Sequence, residues 1–259
     1  MIARIKTFIP AGLKKQIKLL LHKGNKYTCP FCNYSSKDLS IIGVNLPVLI
    51  EKQVVGGGER RGGCYNCDST DRERLLLVYL KEKLNIASIA KEMNVLHIAP
   101  EKNLANILLK LDFKSYILGD LYTDGYSYPE YVQNMNVLNI PYDNNTFDLI
   151  ICNHVLEHIP TDTDAMKELQ RVLKPGGKAI LQVPISKNTL KTFEDFSITD
   201  PKQREMLFGQ YDHLRLYGQD YVQRLEQSGF KVNRINISSE FIKYGVNEDE
   251  ELFICEKMP

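Results

Sequence analysis

FDLIICNHVLEHIPTDTDAMKELQRVLKPGGKAILQVP, residues 147–184, decides the fold class of this chain. Residues 148–152 and 178–183 are short apolar runs rich in β-branched side chains and bounded by turn residues, which predicts buried strands. Between them, residues 164–173 space their apolar side chains as a helix does, and Lys174-Pro175-Gly176-Gly177 supplies a turn. Strand, helix, turn, strand is one βαβ crossover, and a crossover joins parallel strands beneath a covering helix. The expected fold is therefore α/β, Rossmann-like and doubly wound, around a mostly parallel sheet.

Working outward, strand and helix patterns alternate from residue 94 to the end, so one catalytic domain is expected over residues 93–259. Residues 185–217 interrupt it with a long polar and aromatic insertion, a substrate lid at the sheet edge where such loops shape binding sites. Upstream, residues 69–92 read as a connecting helix. Thr70 and Glu73 have capping-box spacing, and an apolar run follows at 75–80. Residues 27–68 hold a cysteine module. Residues 1–26 are basic and amphipathic: Ile2, Ile5 and Ile9 precede the Pro10-Ala11-Gly12 break, and Leu13, Ile17, Leu20 and Leu21 follow it.

The chain has 259 residues and a formal charge of +1, distributed unevenly. Residues 1–26 carry seven Lys or Arg and no acid, leaving 26 basic against 32 acidic residues in the remainder. A mildly acidic body is a poor match for a long nucleic-acid footprint, so a small-molecule or glycan substrate is expected. The basic tip fits contact with an anionic membrane surface, or a solvated helix packed on the body. Lysines interrupt every apolar stretch near the N-terminus, and a cytoplasmic location is expected, peripheral at the membrane if the tip docks there.

Cys29-Pro-Phe-Cys32 and Cys64-Tyr-Asn-Cys67 are two C-x-x-C pairs separated by 31 residues. Each pair can chelate a metal from one tight turn, and two pairs supply the closed tetrahedral sulfur set of structural zinc. A redox dithiol is the alternative. With no secretory signal expected, metal is favoured over disulfides. Cys152 and Cys255 lie in apolar runs and read as core.

The order FD-x-I, five residues, LEH, fourteen residues, LKPGG resembles the fourth and fifth strands of the class I S-adenosylmethionine (SAM)-dependent methyltransferases of the type 11-like group. With the N-terminal zinc ribbon and the D-H-L-R-x-Y-G motif at 212–218, it resembles a subgroup found among surface-polysaccharide biosynthesis proteins. That implies a seven-stranded sheet and a SAM site. The turn after the first strand reads His97-Ile98-Ala99-Pro100-Glu101, without the usual G-x-G. Glu101 at a helix start would repel a pyrophosphate but suits the α-amino group of SAM; capping the helix is its other possible role. Asp120, ending the next strand with Leu121 beside it, can accept both ribose hydroxyls. Asn136 and Val137 stand where the family contacts adenine, and Asn153 and His154 would line the methionine end.

Methyl transfer requires alignment of acceptor and methyl and removal of a proton, for which histidine is suited. His158 and His213 are the candidate bases, and Arg215 a candidate for a substrate phosphate or carboxylate. A strand-like alternation would point His213 and Arg215 the same way; the other reading is a polar strand that locks the lid to the body. Glu157-His158 also resembles an E-x-x-E-H metal element, but His154 replaces its first Glu and no further ligand is evident, so a hydrogen-bonded pair is expected there. The expected reaction is methyl transfer to a hydroxyl or carboxyl of a glycan or other small molecule. Alternatives are an RNA base methyltransferase that uses the ribbon for recognition, and a non-catalytic interaction protein.

Overall fold

A computed structural model describes residues 10–259. Ile2, Ile5 and Ile9 lie outside the described residues. The main sheet has seven strands: β1 (Asn94–Ile98), β2 (Ser115–Asp120), β3 (Val132–Asn134), β4 (Phe147–Asn153), β5 (Leu173–Gln182), β6 (Phe230–Ile235) and β7 (Leu252–Lys257). They lie in the order β3-β2-β1-β4-β5-β7-β6. The first five pair in parallel, and β7 runs antiparallel to both neighbours. The strand order reverses between β1 and β4, which opens a crevice at their carboxyl ends.

The crossover predicted for 147–184 is present: β4, the helix Asp162–Val172, then β5, with the Lys-Pro-Gly-Gly turn as an irregularity in the β5 pairing. β4 reads as a continuous apolar run because helices cover both sheet faces. Ile150 and Cys152 pack under Asp162–Val172 and Tyr221–Gln227. Leu149 and Ile151 belong to the opposite core with Leu75, Leu80, Leu104 and Leu108.

The helix Asp71–Val78 starts with the expected Thr70–Glu73 capping box and continues through a π-helical turn, Tyr79–Lys83. In the cysteine module, Lys23–Thr28 pairs with Ser35–Ser36, and Ser40–Ile42 pairs with Arg60–Gly63. Arg74 is fully buried and donates to the carbonyls of Ser69, Gly62 and Gly245, tying module to body. Module and lid are also joined to each other. Val54–Val55 pairs with Ile185–Ser186, and Leu49 and Val54 pack on Phe208 and Leu216. A glycine is required at 43, where φ is +80° and a Cβ would lie 2.0 Å from the Gly58 carbonyl oxygen.

Candidate active site

β1 delivers His97 to the crevice, and Ala99 then takes a left-handed φ of +47°, where a side chain is strained. The turn continues through Pro100 to Glu101, which precedes the helix Lys102–Leu108 but makes no side-chain cap. Its carboxylate instead accepts from His97 Nε2 at 2.8 Å and Asn153 Nδ2 at 3.0 Å. His97 is fully buried, and its Nδ1 lies 2.8 Å from the Tyr116 hydroxyl. Burial pushes the Glu101 carboxyl up, but the bond from His97 outweighs it and holds the group below its ordinary range. Glu101 is thus an oriented anion at the crevice.

Asn153, at the end of β4, is buried with its Oδ1 unpartnered. Arg72, from the first turn of the connecting helix, borders the same void as Asn153. The Arg72 Nε is likewise buried without a partner, while Nη1 reaches the Gly56 carbonyl and His154 Nδ1. Glu101, Asn153, His154, Arg72 and Glu250 border a void of about 10 Å³, room for about one water. Arg72 had no distinguishing signal in the sequence beyond a charge beside an apolar run.

Glu250 is buried with Oε2 unpartnered, and burial pushes its carboxyl up to about 7. Its folded pKa exceeds the ordinary 4.5, so between those values the folded chain keeps a proton that the unfolded chain has released. Stability should therefore fall as pH rises from about 4.5 to 7, by on the order of 3 kcal/mol from this group. Glu250→Gln should remove that part of the slope in urea denaturation at a series of pH values; an unchanged slope would contradict the assignment.

On the other side of the Pro100 turn, a cavity of about 500 Å³ is bordered by Lys102, Asp120, Tyr128 and Tyr131. Asp120 ends β2, and burial raises its carboxyl. Leu121 is exposed beside it, and Val137 is buried. Asn136 Oδ1 accepts from the Leu138 N–H at 2.9 Å, so one of its lone pairs serves its own turn. Tyr122 stacks on Tyr128 at 4.4 Å, which packs the loop.

A second cavity, of about 400 Å³, lies between module, lid and sheet. Gly57 and Arg60 of the module line it, as do His154, Glu157, His158 and the lid's His213. His158 and His213 meet edge-on, ring centroids 4.8 Å apart. Glu157 is buried, with Oε1 3.5 Å from His154 Nδ1 and Oε2 unpartnered. Burial works against its ionisation, yet the bond to His154 and the charges of the surrounding imidazoles hold its carboxyl well below the usual range. Burial lowers the pKa of His213, favouring the neutral ring.

Arg215 corrects the sequence expectation. Its side chain is fully buried and engaged by the protein's own groups. Nε donates to Glu194 at 2.8 Å, Nη1 to the carbonyls of Leu156 and Ile159, and Nη2 to that of Pro160. The expected alternation fails because residues 211–212 form a turn, so His213 precedes the short strand Arg215–Leu216. Arg215 holds the turn that carries Glu157 and His158.

The four module thiols suit a metal. Their sulfurs all lie within 4.8 Å of one another, with Cys29–Cys67 and Cys32–Cys64 each at 3.6 Å. A tetrahedral ion with bonds of about 2.3 Å sets its sulfurs about 3.8 Å apart. Zinc would be held by all four, leaving no open position for chemistry.

Residues 97–181, which run from β1 into β5, match the methyltransferase domain family. An uncharacterized protein of Methanocaldococcus jannaschii is 34% identical over 120 residues, which cover 45% of this chain and 52% of that one. The chain thus spans about half the length of that relative. Demethylmenaquinone methyltransferase of Staphylococcus carnosus is 35% identical over 89 residues, 34% of this chain and 36% of that one. Among solved structures, 1,6-didemethyltoxoflavin-N1-methyltransferase of Burkholderia thailandensis aligns over 73% of this chain and 88% of its own, with 13% identity and a TM-score of 0.44.

Proposed function

We propose that the chain is a SAM-dependent methyltransferase that methylates a hydroxyl or carboxyl oxygen of a glycan or other small molecule. One observation carries the cofactor reading: a buried acceptor, Asn153 Oδ1, and a buried donor, Arg72 Nε, are both unpartnered around one void beside the Glu101 carboxylate. Unpartnered buried polar atoms are costly, and an amino-acid group satisfies both kinds. Glu101 and Asn153 would hold the ammonium of SAM, Arg72 its carboxylate, and Asp120 its ribose. The void is too small for that group until Arg72 releases Gly56 and His154.

When bound, SAM supplies an electrophilic methyl on a sulfonium. The chain's own residues position the acceptor and manage its proton. The acceptor occupies the cavity between module, lid and sheet, where the imidazole of His213 or His158 takes the proton as the new O–C bond forms and the C–S bond to the methyl breaks. Calorimetry of the zinc-loaded protein with SAM tests the reading. Binding is expected, and Arg72→Ala should weaken it about 10- to 100-fold through loss of a charge-assisted pair. No binding by the wild type would remove the enzyme reading in favour of an interaction protein.

A second feature concerns location. The helix Ala11–His22 exposes Leu13, Ile17, Leu20 and Leu21. Helical spacing puts these four on one stripe, opposite the Lys18 and His22 side chains that lie on Tyr65. The apolar stripe, with Lys14 at its margin, fits insertion into an anionic lipid surface. Among the described residues no helix is long and apolar enough to cross a membrane. Sedimentation with phosphatidylserine vesicles should be lost in Leu20→Glu/Leu21→Glu; equal sedimentation of both proteins, or of neither, would discard the idea.

A further inference from the structure

We infer that Glu157, His158 and His213 form a divalent transition-metal site, distinct from the four-thiolate centre, with open positions facing the acceptor cavity. Ligand atoms of the three lie within 4.8 Å of one another. Two imidazole nitrogens and one carboxylate oxygen make a donor set that suits first-row divalent ions such as Mn²⁺, Fe²⁺ or Zn²⁺, and leaves coordination positions for a substrate.

Three further observations point to an ion. First, Glu157, which lines the cavity, is 1% exposed, and its Oε2 has no hydrogen-bond partner. A buried carboxylate oxygen left unpaired beside imidazoles is costly unless a cation or donor satisfies it. Second, each imidazole has its Nδ1 against an oxygen. His213 Nδ1 lies 3.2 Å from the Phe208 carbonyl, and His158 Nδ1 lies 3.4 Å from Asp212. A carbonyl only accepts, so the His213 proton sits on Nδ1 and its Nε2 keeps a free lone pair. This is the outer-shell arrangement that orients metal-binding histidines. Third, the ligands arrive on two elements: Glu157 and His158 on the turn after β4, and His213 on the lid. The lid ligand is what residues 154–158 alone lack.

Metal–ligand bonds near 2.1 Å place adjacent donors about 3 Å apart, so the side chains must draw together. His158 is half-buried and held only by the long Asp212 contact, which leaves it free to do so. An ion there would bind the acceptor oxygen and lower its pKa; both imidazoles would then serve as ligands in place of the base, and the proton would leave to solvent before the oxygen attacks. This deepens the acceptor-cavity reading, but the ion itself can be detected without SAM or turnover.

Mn²⁺ is the probe, because it competes poorly for zinc's thiolates. In the zinc-loaded full chain, loss of the free-Mn²⁺ electron paramagnetic resonance signal should titrate to one bound equivalent beyond the ribbon zinc. His158→Ala and His213→Ala should each weaken binding at least about 10-fold. Half-buried His158 is the variant expected to keep the fold, checked by circular dichroism. Mn²⁺ remaining free up to about 1 mM, or binding unchanged in folded His158→Ala, would overturn the site. SAM binding without Mn²⁺ binding would remove the metal alone and leave the methyltransferase reading standing.

Discussion

Chelating the zinc that Cys29, Cys32, Cys64 and Cys67 would hold should unfold the cysteine module first and disturb the adjoining cavity with it. Ligation by four thiolates contributes on the order of 10 kcal/mol or more to folding. Little else holds residues 27–68: the module's strands are two to six residues long, and its apolar contacts are shared with lid and body. The loss would spread. Gly57 and Arg60 wall the acceptor cavity, and Arg60 grips Asp71 at the start of the connecting helix with two bonds of 2.6 and 2.7 Å. That helix carries Arg72. Chelation should therefore make four of the six thiols reactive, since Cys152 and Cys255 are buried in the sheet, and should weaken SAM binding in the same titration. A folded, metal-free protein with four intact free thiols and unchanged SAM affinity would refute the structural-zinc reading.

Arg215→Ala should be among the most destabilising single changes in the chain, by about 3–5 kcal/mol, because it strands buried partners of a buried charge. Glu194 would lose its 2.8 Å bond, Asp162 a cation at 3.7 Å, and the carbonyls of Leu156, Ile159 and Pro160 their donor. Arg224 still pairs with Asp162 at 2.7 Å and with Glu194 at 3.2 Å, which tempers the loss without replacing the three carbonyl bonds. For a chain of this size the midpoint should fall by roughly 10 °C. Arg215→Lys should recover little, since an ammonium lacks the guanidinium fork. An anion-binding Arg would show the opposite pattern: weaker acceptor binding at an unchanged melting temperature. That outcome would restore the substrate role.

Much of the fold is legible along the chain because it is local. The run 148–152 is apolar throughout, since a central parallel strand is covered on both faces. Thr70 and Glu73 satisfy each other within one helical turn, so their spacing alone predicts the cap. The two C-x-x-C pairs announce themselves for the same reason. The sequence places Glu101 as an anion at the start of the helix after β1, but not the neighbours that orient it. His97 lies four residues before it, while Asn153 reaches it from β4, 52 residues away.

Arg215 and His213 mark the limit. Alternation predicts a shared face only where the chain is extended. Gly209 ends the helix Pro201–Phe208 at a φ of +89°, and the following turn breaks the two-residue period. His213 consequently points at His158 and Arg215 at the carbonyls behind it. Arg72 was invisible for a related reason: only the tertiary fold brings the connecting helix to the void beside Glu101 and Asn153.

By itself, then, the sequence determined the parallel sheet, its crossover, the four-thiolate cluster and the carboxylates at the strand ends, because each depends on residues close along the chain or on a repeating period. Tertiary structure alone decided that the cysteine module and lid form opposite walls of one cavity, that Arg215 is scaffold, and that Glu157, His158 and His213 converge. Those outcomes come from contacts between segments tens of residues apart, and no local period encodes such contacts.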